Sequence, residues 1–319
     1  MSVSPDSFGI GEIHEALVTL RRVGFTPAHL TRIQVSEEIA REVVRVSSPE
    51  NPYASEQCEQ TAFYPKGFAM PSPEDQAVRL KKTFGFEPMW NEAVQNLPFP
   101  TGEFGADGIG LFPCLSFLGQ IWEIEDPRVA GYGKAIATAC DKFGKWSMAE
   151  MNVPLVNYRM NVPLINYRTK DRDELTRTGF VRIAKRTLET ITLLEDLAMS
   201  QGFNCLAIPV CLGDWGTRLC YSPRNALWQT LNLTPRRLAI EPVAGLSLVV
   251  GTKVMTTHKH QWKDFPGAQY NWHRVDRWSD SLYLSFDDGR FRFGAGGADY
   301  ADGRYGSMVA FPGESGLVA

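Results

Sequence analysis

The most reactive side chains of this 319-residue chain do not assemble into a recognised catalytic pattern. His258-Lys259-His260 sets two imidazoles on one face of an extended segment, as a metal site requires. No neighbouring Cys or third His completes the ligand set, so ordinary surface histidines are expected. Asp299-Tyr300-Ala301-Asp302-Gly303 gathers carboxylates beside a glycine, as a calcium loop does, but lacks the full ligand series. Gly9-Ile10-Gly11 has His14 where a dinucleotide fingerprint has its third glycine, and no strand precedes it. There is no G-x-S-x-G, no H-E-x-x-H, no P-loop and no EF-hand loop. Cys58, Cys114, Cys140, Cys205, Cys211 and Cys220 form neither a C-x-x-C pair nor a zinc spacing, which predicts buried free thiols. No metal, no cofactor and no catalytic residue is expected.

What the chain does carry is recognition chemistry. Residues 270–307 contain no Lys, Glu, Gln or Met, although those four types supply 50 of the other 281 residues. Asp, Tyr, Ser, Arg, Gly, Ala and Trp fill the stretch over a sparse apolar frame. Tyr and Trp offer large contact area at small entropy cost, while Ser, Gly and Asp adapt their hydrogen bonding to a partner. The candidate ligand-binding residues are Trp272, His273, Arg274, Asp276, Arg277, Trp278, Asp280, Tyr283, Ser285, Arg290, Arg292, Tyr300, Asp302, Arg304 and Tyr305. Tyr, Trp and Arg are the types that most often act as hot spots.

Those residues need a frame, and the alternation near the end of the chain supplies one. Leu282, Leu284 and Phe286 alternate with Ser281, Tyr283 and Ser285. The turn Asp287-Asp288-Gly289 follows, and Phe291 and Phe293 then alternate with Arg290 and Arg292. Side chains switch faces at each residue of a strand, so the reading is a hairpin over 282–286 and 290–293. Its aliphatics and phenylalanines are buried together, and Tyr283, Ser285, Arg290 and Arg292 point out.

Upstream, residues 1–52 read as a helical module, with Ile13, Leu17 and Leu20 at helical spacing and Gly24 as a stop. Thr26-Pro27 then caps a second helix, and Ser36 a third. Ser47-Ser48-Pro49-Glu50-Asn51-Pro52 reads as a linker. In residues 53–319, Ser72-Pro73-Glu74 opens a helix that Gly85 closes, residues 131–146 make another, and a long periodic helix is expected over 173–200. Cys205 to Cys211 and Leu246 to Val250 have the length of buried strands, separated by a helix begun at Ser222-Pro223. One tandem repeat is present: residues 151–159 read MNVPLVNYR and residues 160–168 read MNVPLINYR. Two copies cannot build a solenoid, so residues 151–159 are read as dispensable material inserted in a surface loop.

Composition narrows the classes further. A hydrophobic content of 44% with 22% charged residues is that of a globular chain, and its length holds one large domain or two ordinary ones. A net charge of -3 and a pI near 6.0 argue against a nucleic-acid binder. No apolar run reaches the roughly 18 residues of a membrane span, and the N-terminus lacks the basic start and apolar core of a secretory signal, so a cytoplasmic location is expected.

The chain also resembles a group of uncharacterised bacterial proteins ending in a C-type-lectin-like domain of the kind diversified by retroelements. The resemblance covers roughly residues 60–319. It rests on Phe63-Tyr64-Pro65-Lys66-Gly67, Phe112-Pro113, Leu115-Ser116, Leu118-Gly119, Asn166-Tyr167-Arg168 and Tyr221-Ser222-Pro223-Arg224-Asn225-Ala226. Above all it rests on Phe286-Asp287-Asp288-Gly289, Ala301-Asp302 and Tyr305-Gly306-Ser307. The N-terminal module, with Gly24-Phe25-Thr26-Pro27, is similar to the helical unit that precedes such domains. In those systems adenines of the template are randomised, so AAY codons become Asn, Asp, Tyr, Ser, Gly, Arg or Ala but never Lys, Glu, Gln or Met. The resemblance thus supplies an origin for the gap over residues 270–307. Trp272 and Trp278 depart from it, because AAY codons do not yield Trp, and count as fixed frame positions. The calcium-lectin triplets EPN, QPD and WND are absent, so the implied partner is a protein rather than a calcium-bound sugar.

The expectation is therefore an α+β chain: a short N-terminal helical module, then a mixed α/β domain with a C-type-lectin-like C-terminal core that displays a variable-type surface over about 270–307. Its function is non-enzymatic ligand binding. Two other readings stand beside it: an enzyme with a polar pocket in the α+β domain, and an oligomeric scaffold assembled through the N-terminal helices.

Overall fold

The computed structural model describes residues 26–36, 51–62, 64, 68–96, 106–157, 164–166, 179–213, 219–232, 237–257, 262–271 and 280–312. The chain divides into two units, Met1–Glu50 and Asn51–Ala319. In the first, helix α1 (Pro27–Val35) begins as the sequence suggests, with Thr26 as N-cap and proline at the first helical position. His29 Nδ1 accepts a hydrogen bond from the Thr26 N–H at 2.9 Å, satisfying a donor that the helix itself leaves open. The expected flanking helices lie outside the described residues.

The second unit contains both helices and sheets. In chain order its elements are β1 (Gln57–Glu59), α2 (Pro73–Phe84), β2 (Gly108–Pro113), α3 (Leu115–Ile121), α4 (Tyr132–Met151), β3 (Leu155–Asn157), β4 (Leu164–Asn166) and β5 (Gly179–Ile183). Next come α5 (Lys185–Ser200), β6 (Cys205–Cys211), β7 (Leu219–Tyr221), α6 (Pro223–Asn232), β8 (Leu238–Ala239) and α7 (Pro242–Thr252). The chain closes with β9 (Trp262–Asn271), β10 (Asp280–Asp287), β11 (Arg290–Gly297), β12 (Tyr305–Ser307) and β13 (Val309–Ala310). The main sheet has the order β3-β11-β10-β9-β5-β4, with β12 also on β9. A second sheet runs β2-β6-β13-β8, and β1 pairs with β7.

Local chemistry explains several boundaries. Ser72 Oγ accepts from the Asp75 N–H at 3.2 Å to start α2, and Gly85 at φ 82 ends it. Helix α4 starts after Gly131 and outruns the expected end to stop at Asn152, which takes the left-handed conformation at φ 53. The hairpin turn needs two residues at positive φ, and Asp288 (51) and Gly289 (69) provide them.

Two expectations are corrected. Residues 246–250 are not a strand but the middle of α7, which is buried along its whole length. Glu241 caps it, its carboxylate accepting from the N–H groups of Val243 (2.9 Å) and Ala244 (2.5 Å) and from Tyr132 Oη (2.7 Å). A helix apolar on every face has no amphipathic period to read, so the run alone resembles a strand. The long helix expected over 173–200 is instead strand β5 followed by α5, and residues 173–178 lie outside the described residues. Phe180, Val181 and Ile183 pair with Asn271, Tyr270 and Ala268 of β9, a tertiary choice that overrides the helical spacing.

The repeat is also not a loop insertion. Leu155–Asn157 and Leu164–Asn166 are the same three positions of its two copies. They form β3 and β4, at opposite ends of the six-strand path of the main sheet. The first copy pairs in parallel with Phe291 to Phe293, the second with Gly179 to Val181.

Helix α7 is the centre of the core. It packs against α2, α4, β2 and β9. Gly245 permits the closest approach: a Cβ there would stand 2.2 Å from the Phe265 ring. On the inner face of the hairpin, Leu282 sits opposite Ala295, Leu284 opposite Phe293 and Phe286 opposite Phe291, all buried.

Candidate recognition face

The other face of the main sheet collects most of the described candidate residues. Strand register builds it row by row. Tyr283 lies between Gly294 on β11 and Asp264 on β9, and Asp264 is in turn level with Ser307 on β12. In the next row Ser285 is opposite Arg292, and Tyr305 is level with Trp262. Because side chains alternate along a strand, Trp262, Asp264, Ser281, Tyr283, Ser285, Arg292, Tyr305 and Ser307 share this face.

Four aromatic rings dominate it. Trp262 stacks on Tyr283 with centroids 5.2 Å apart and planes at 21°, and Tyr305 meets the same indole at 4.6 Å. Tyr283 and Tyr305 are edge-to-face at 6.0 Å, and Tyr300 continues the row against Tyr305 at 6.2 Å. The Arg304 guanidinium covers the Trp262 ring at 5.1 Å. Asp302 holds that guanidinium in place: Oδ1 accepts from Arg304 Nε (3.0 Å) and from its backbone N–H (2.9 Å), while Oδ2 accepts from Nη2 (2.8 Å). The Asp302 carboxyl is accordingly held below the usual range, chiefly by these bonds from Arg304. The pairing presents Arg304 as a fixed planar fork beside exposed Tyr300 (58% exposed).

The loop that carries Tyr300, Asp302 and Arg304 is fastened from behind. Gly303 O accepts from the N–H groups of Thr61 (2.7 Å) and Ala62 (3.2 Å), and Ala298 O accepts from the Arg224 N–H (3.0 Å). Glu56 accepts from Ser222 Oγ at 2.7 Å and from Arg224 Nε at 2.8 Å, bonds that pull its carboxyl below the usual range, with Arg224 the larger cause. Arg224 in turn stacks on Tyr53 at 4.9 Å.

Exposure corrects one expectation. Tyr283 and Ser285 are on the face opposite Leu284, as alternation requires, but they do not point to solvent: Tyr283 is 7% exposed and Ser285 is 0%. The Trp262 and Tyr305 rings close over Tyr283. Arg290 and Arg292 do form an outer rim, both reaching Asp288, at 3.8 and 3.0 Å. Asp280 lies away from the cluster at the far end of β10, opposite Gly297 and Tyr270. Trp272, His273, Arg274, Asp276, Arg277 and Trp278 lie outside the described residues, as do His258 and His260.

Sequence reading missed Trp262 and Asp264. The signal was the alternation Trp262-Lys263-Asp264-Phe265, obscured because Pro266-Gly267 breaks the sequence pattern within β9 and the register against β10 shifts there. Asp264 is 2% exposed. Burial drives its carboxyl well above the ordinary range, the Asp302 charge adds to this, and Lys263 opposes it. Among the described residues, four buried polar atoms of this face have no hydrogen-bond partner: Trp262 Nε1, Asp264 Oδ2, Ser281 Oγ and Ser285 Oγ.

The other buried acids are structural. Glu195 accepts from the N–H groups of Leu115 (2.6 Å) and Ser116 (3.1 Å) and from Ser116 Oγ (3.0 Å), capping α3, while Glu241 caps α7. Among the described residues no group of three or more His, Cys, Asp or Glu could hold a metal ion. Among them, too, no helix is long and apolar enough to cross a membrane. Comparison with protein-family models, curated proteins and solved structures finds no match to this chain.

Proposed function

We propose that this chain is a non-enzymatic ligand-binding protein whose recognition surface, on a C-type-lectin-like frame, is the aromatic and arginine face around Trp262, Tyr300, Arg304 and Tyr305. The observation that carries the reading is convergence. Three separate segments, β9, the β10–β11 hairpin and the loop before β12, bring Trp, Tyr and Arg side chains onto one surface, with Arg304 fixed by Asp302 and the indole of Trp262. Those are the residue types that dominate binding energy at protein interfaces. Diversification by a retroelement accounts for the composition of residues 270–307 and falls, on this geometry, mainly on the exposed Arg290, Tyr300 and Arg304. Ser285 and Tyr283 act as supports for the displayed residues. The partner is a protein, and the compartment expected is the cytoplasm.

Geometry favours binding over catalysis. Of the two acids of this face with perturbed ionisation, Asp264 is closed to solvent and Asp302 is occupied by Arg304. The groove along α4, lined by Ala137, Cys140, Gly144, Met148 and Leu155 among others, offers only the Asp141–Lys145 ion pair.

Selection of a phage-displayed random-peptide library on the immobilised protein tests the reading. Enriched peptides are expected to lose tenfold or more in affinity, about 1.4 kcal/mol, against the Tyr300→Ala/Arg304→Ala double variant. Enrichment of no clone, or of clones that bind the variant equally well, would overturn it.

A further inference from the structure

Cys58 and Cys220 are directly opposite each other in the antiparallel pair β1–β7. The Ser222 N–H donates to Glu56 O at 3.1 Å, two residues away on each strand, so the cysteine pair is of the hydrogen-bonded kind, with Cα atoms about 5.5 Å apart. Disulfides span Cα distances of about 4.4–6.8 Å, and opposed residues place both Cβ atoms on one face; a hydrogen-bonded pair holds those Cβ atoms about 5 Å apart against the roughly 3.5–4.5 Å of a disulfide, so closing the bond draws the two short strands about 1 Å together. Both thiols are free, Cys58 partly exposed and Cys220 buried. Cys220 Sγ also donates to Gly303 O at 3.5 Å, so the pair sits against the loop of Asp302 and Arg304.

No other described cysteine pair has this relationship. Cys205 is opposite Pro113 and Cys211 opposite Val309, Cys114 is the residue that precedes helix α3, and Cys140 lies on helix α4.

We propose that Cys58 and Cys220 are a redox modification site, forming a reversible cross-strand disulfide that ties β1 to β7 behind the recognition loop. With glutathione disulfide as oxidant, the Cys58 thiolate attacks one of its sulfurs and expels a glutathione thiolate. The Cys220 thiolate then attacks Cys58 Sγ, breaking the mixed disulfide and expelling a second. The protein loses two protons and two electrons, and two molecules of glutathione carry them. Partial exposure makes Cys58 the first to react.

Burial raises the Cys58 thiol, with Asp302 adding to the effect, and pushes Cys220 up to about 12, again chiefly by burial. Scarce thiolate makes formation slow. The same two sulfurs are poor leaving groups, so the bond, once formed, resists thiolysis. The site therefore works as a slow lock under sustained oxidation rather than as a fast sensor.

The test uses the full chain with glutathione disulfide, followed by alkylation of remaining thiols and peptide mass analysis. A linked Cys58–Cys220 peptide is expected in the parent, and one glutathione adduct on Cys58 in Cys220→Ser. Because the bond closes a long loop, the oxidised parent should melt about 5–10 °C higher, a shift that dithiothreitol reverses and Cys58→Ser lacks. Full alkylation of both cysteines after oxidation, a glutathione adduct that never resolves in the parent, or a link between other cysteines would overturn the proposal. Should Cys220→Ser not fold, Cys58→Ala, altered at the more exposed position, carries the comparison.

Discussion

The Trp262 indole lies flat on the Tyr283 phenol, ring centroids 5.2 Å apart, and both rings belong to the face opposite the hydrophobic core of the hairpin. Tyr283 therefore supports the recognition face and does not form its outer surface. Tyr283→Ala is expected to cost about 3 kcal/mol, in the range of buried aromatic truncations, and Phe293→Ala on the core face about 3–5 kcal/mol. Tyr300→Ala, at an exposed position, should stay within about 0.5 kcal/mol. Urea unfolding of the three variants checks the order. Equal stabilities for Tyr283→Ala and Tyr300→Ala would show that the stack carries no load.

The tandem repeat leads to a deletion experiment. Removing residues 151–159 joins Glu150 to a second copy that differs from the first only in having Ile165 in place of Val156. Leu164 to Asn166 can then occupy the β3 position against Phe291 to Phe293, and what is lost is the three-residue pairing of β4 with β5 and the packing of β4 against α4. Ten residues remain between Arg168 and Gly179 and reach at most about 36 Å, against about 19 Å for the four strand spacings to be crossed. The deletion variant should unfold cooperatively with Tm lowered by only about 2–4 °C, equivalent to roughly 1 kcal/mol. Calorimetry showing a broad, non-cooperative transition would mean that both copies are required.

Glu195 sets a dependence on pH. Burial raises its carboxyl from the ordinary 4.5 to about 7, against the opposing hydrogen bonds of Leu115 and Ser116 and the charge of Arg128. The folded state thus holds a proton that the unfolded state has released. This contribution to stability is complete below about pH 4.5, declines at about 1.4 kcal/mol per unit, and is gone once pH has risen through about 7. Glu195→Gln is neutral throughout and still offers Oε1 to the Leu115 N–H. The stability of the variant relative to the parent should therefore rise from pH 5 to pH 7.5. Parallel denaturation curves across that range would refute the assignment.

Legibility followed the range of the interaction. Ser72, Gly85 and Asp288-Gly289 act through bonds within a few residues of themselves, and each marks a boundary that could be read directly. Residues 179–183 and 246–250 were misread because their conformations answer to distant partners: β9 in one case, and in the other the burial of α7 on every side. The candidate site shows the same division. Tyr300, Arg304 and Tyr305 were evident from residue type, whereas Trp262 and Asp264 join them only through the pairing of β9 with β10 and β12.

By itself the sequence determined the local signals: the helix caps, the two-residue turn, the alternation of the hairpin and the recognition chemistry of residues 270–307. Each depends on backbone sterics or on side-chain type, which neighbours along the chain already specify. Tertiary structure alone decided that the second face of the hairpin is covered as well, which acid is buried beneath the rings, and where the two copies of one nonapeptide go. Leu155-Val156-Asn157 and Leu164-Ile165-Asn166 have almost the same intrinsic preferences, yet one pairs with β11 and the other with β5. Edge pairing is set by the backbone hydrogen bonds that each sheet edge leaves open, and those exist only once the rest of the sheet has formed.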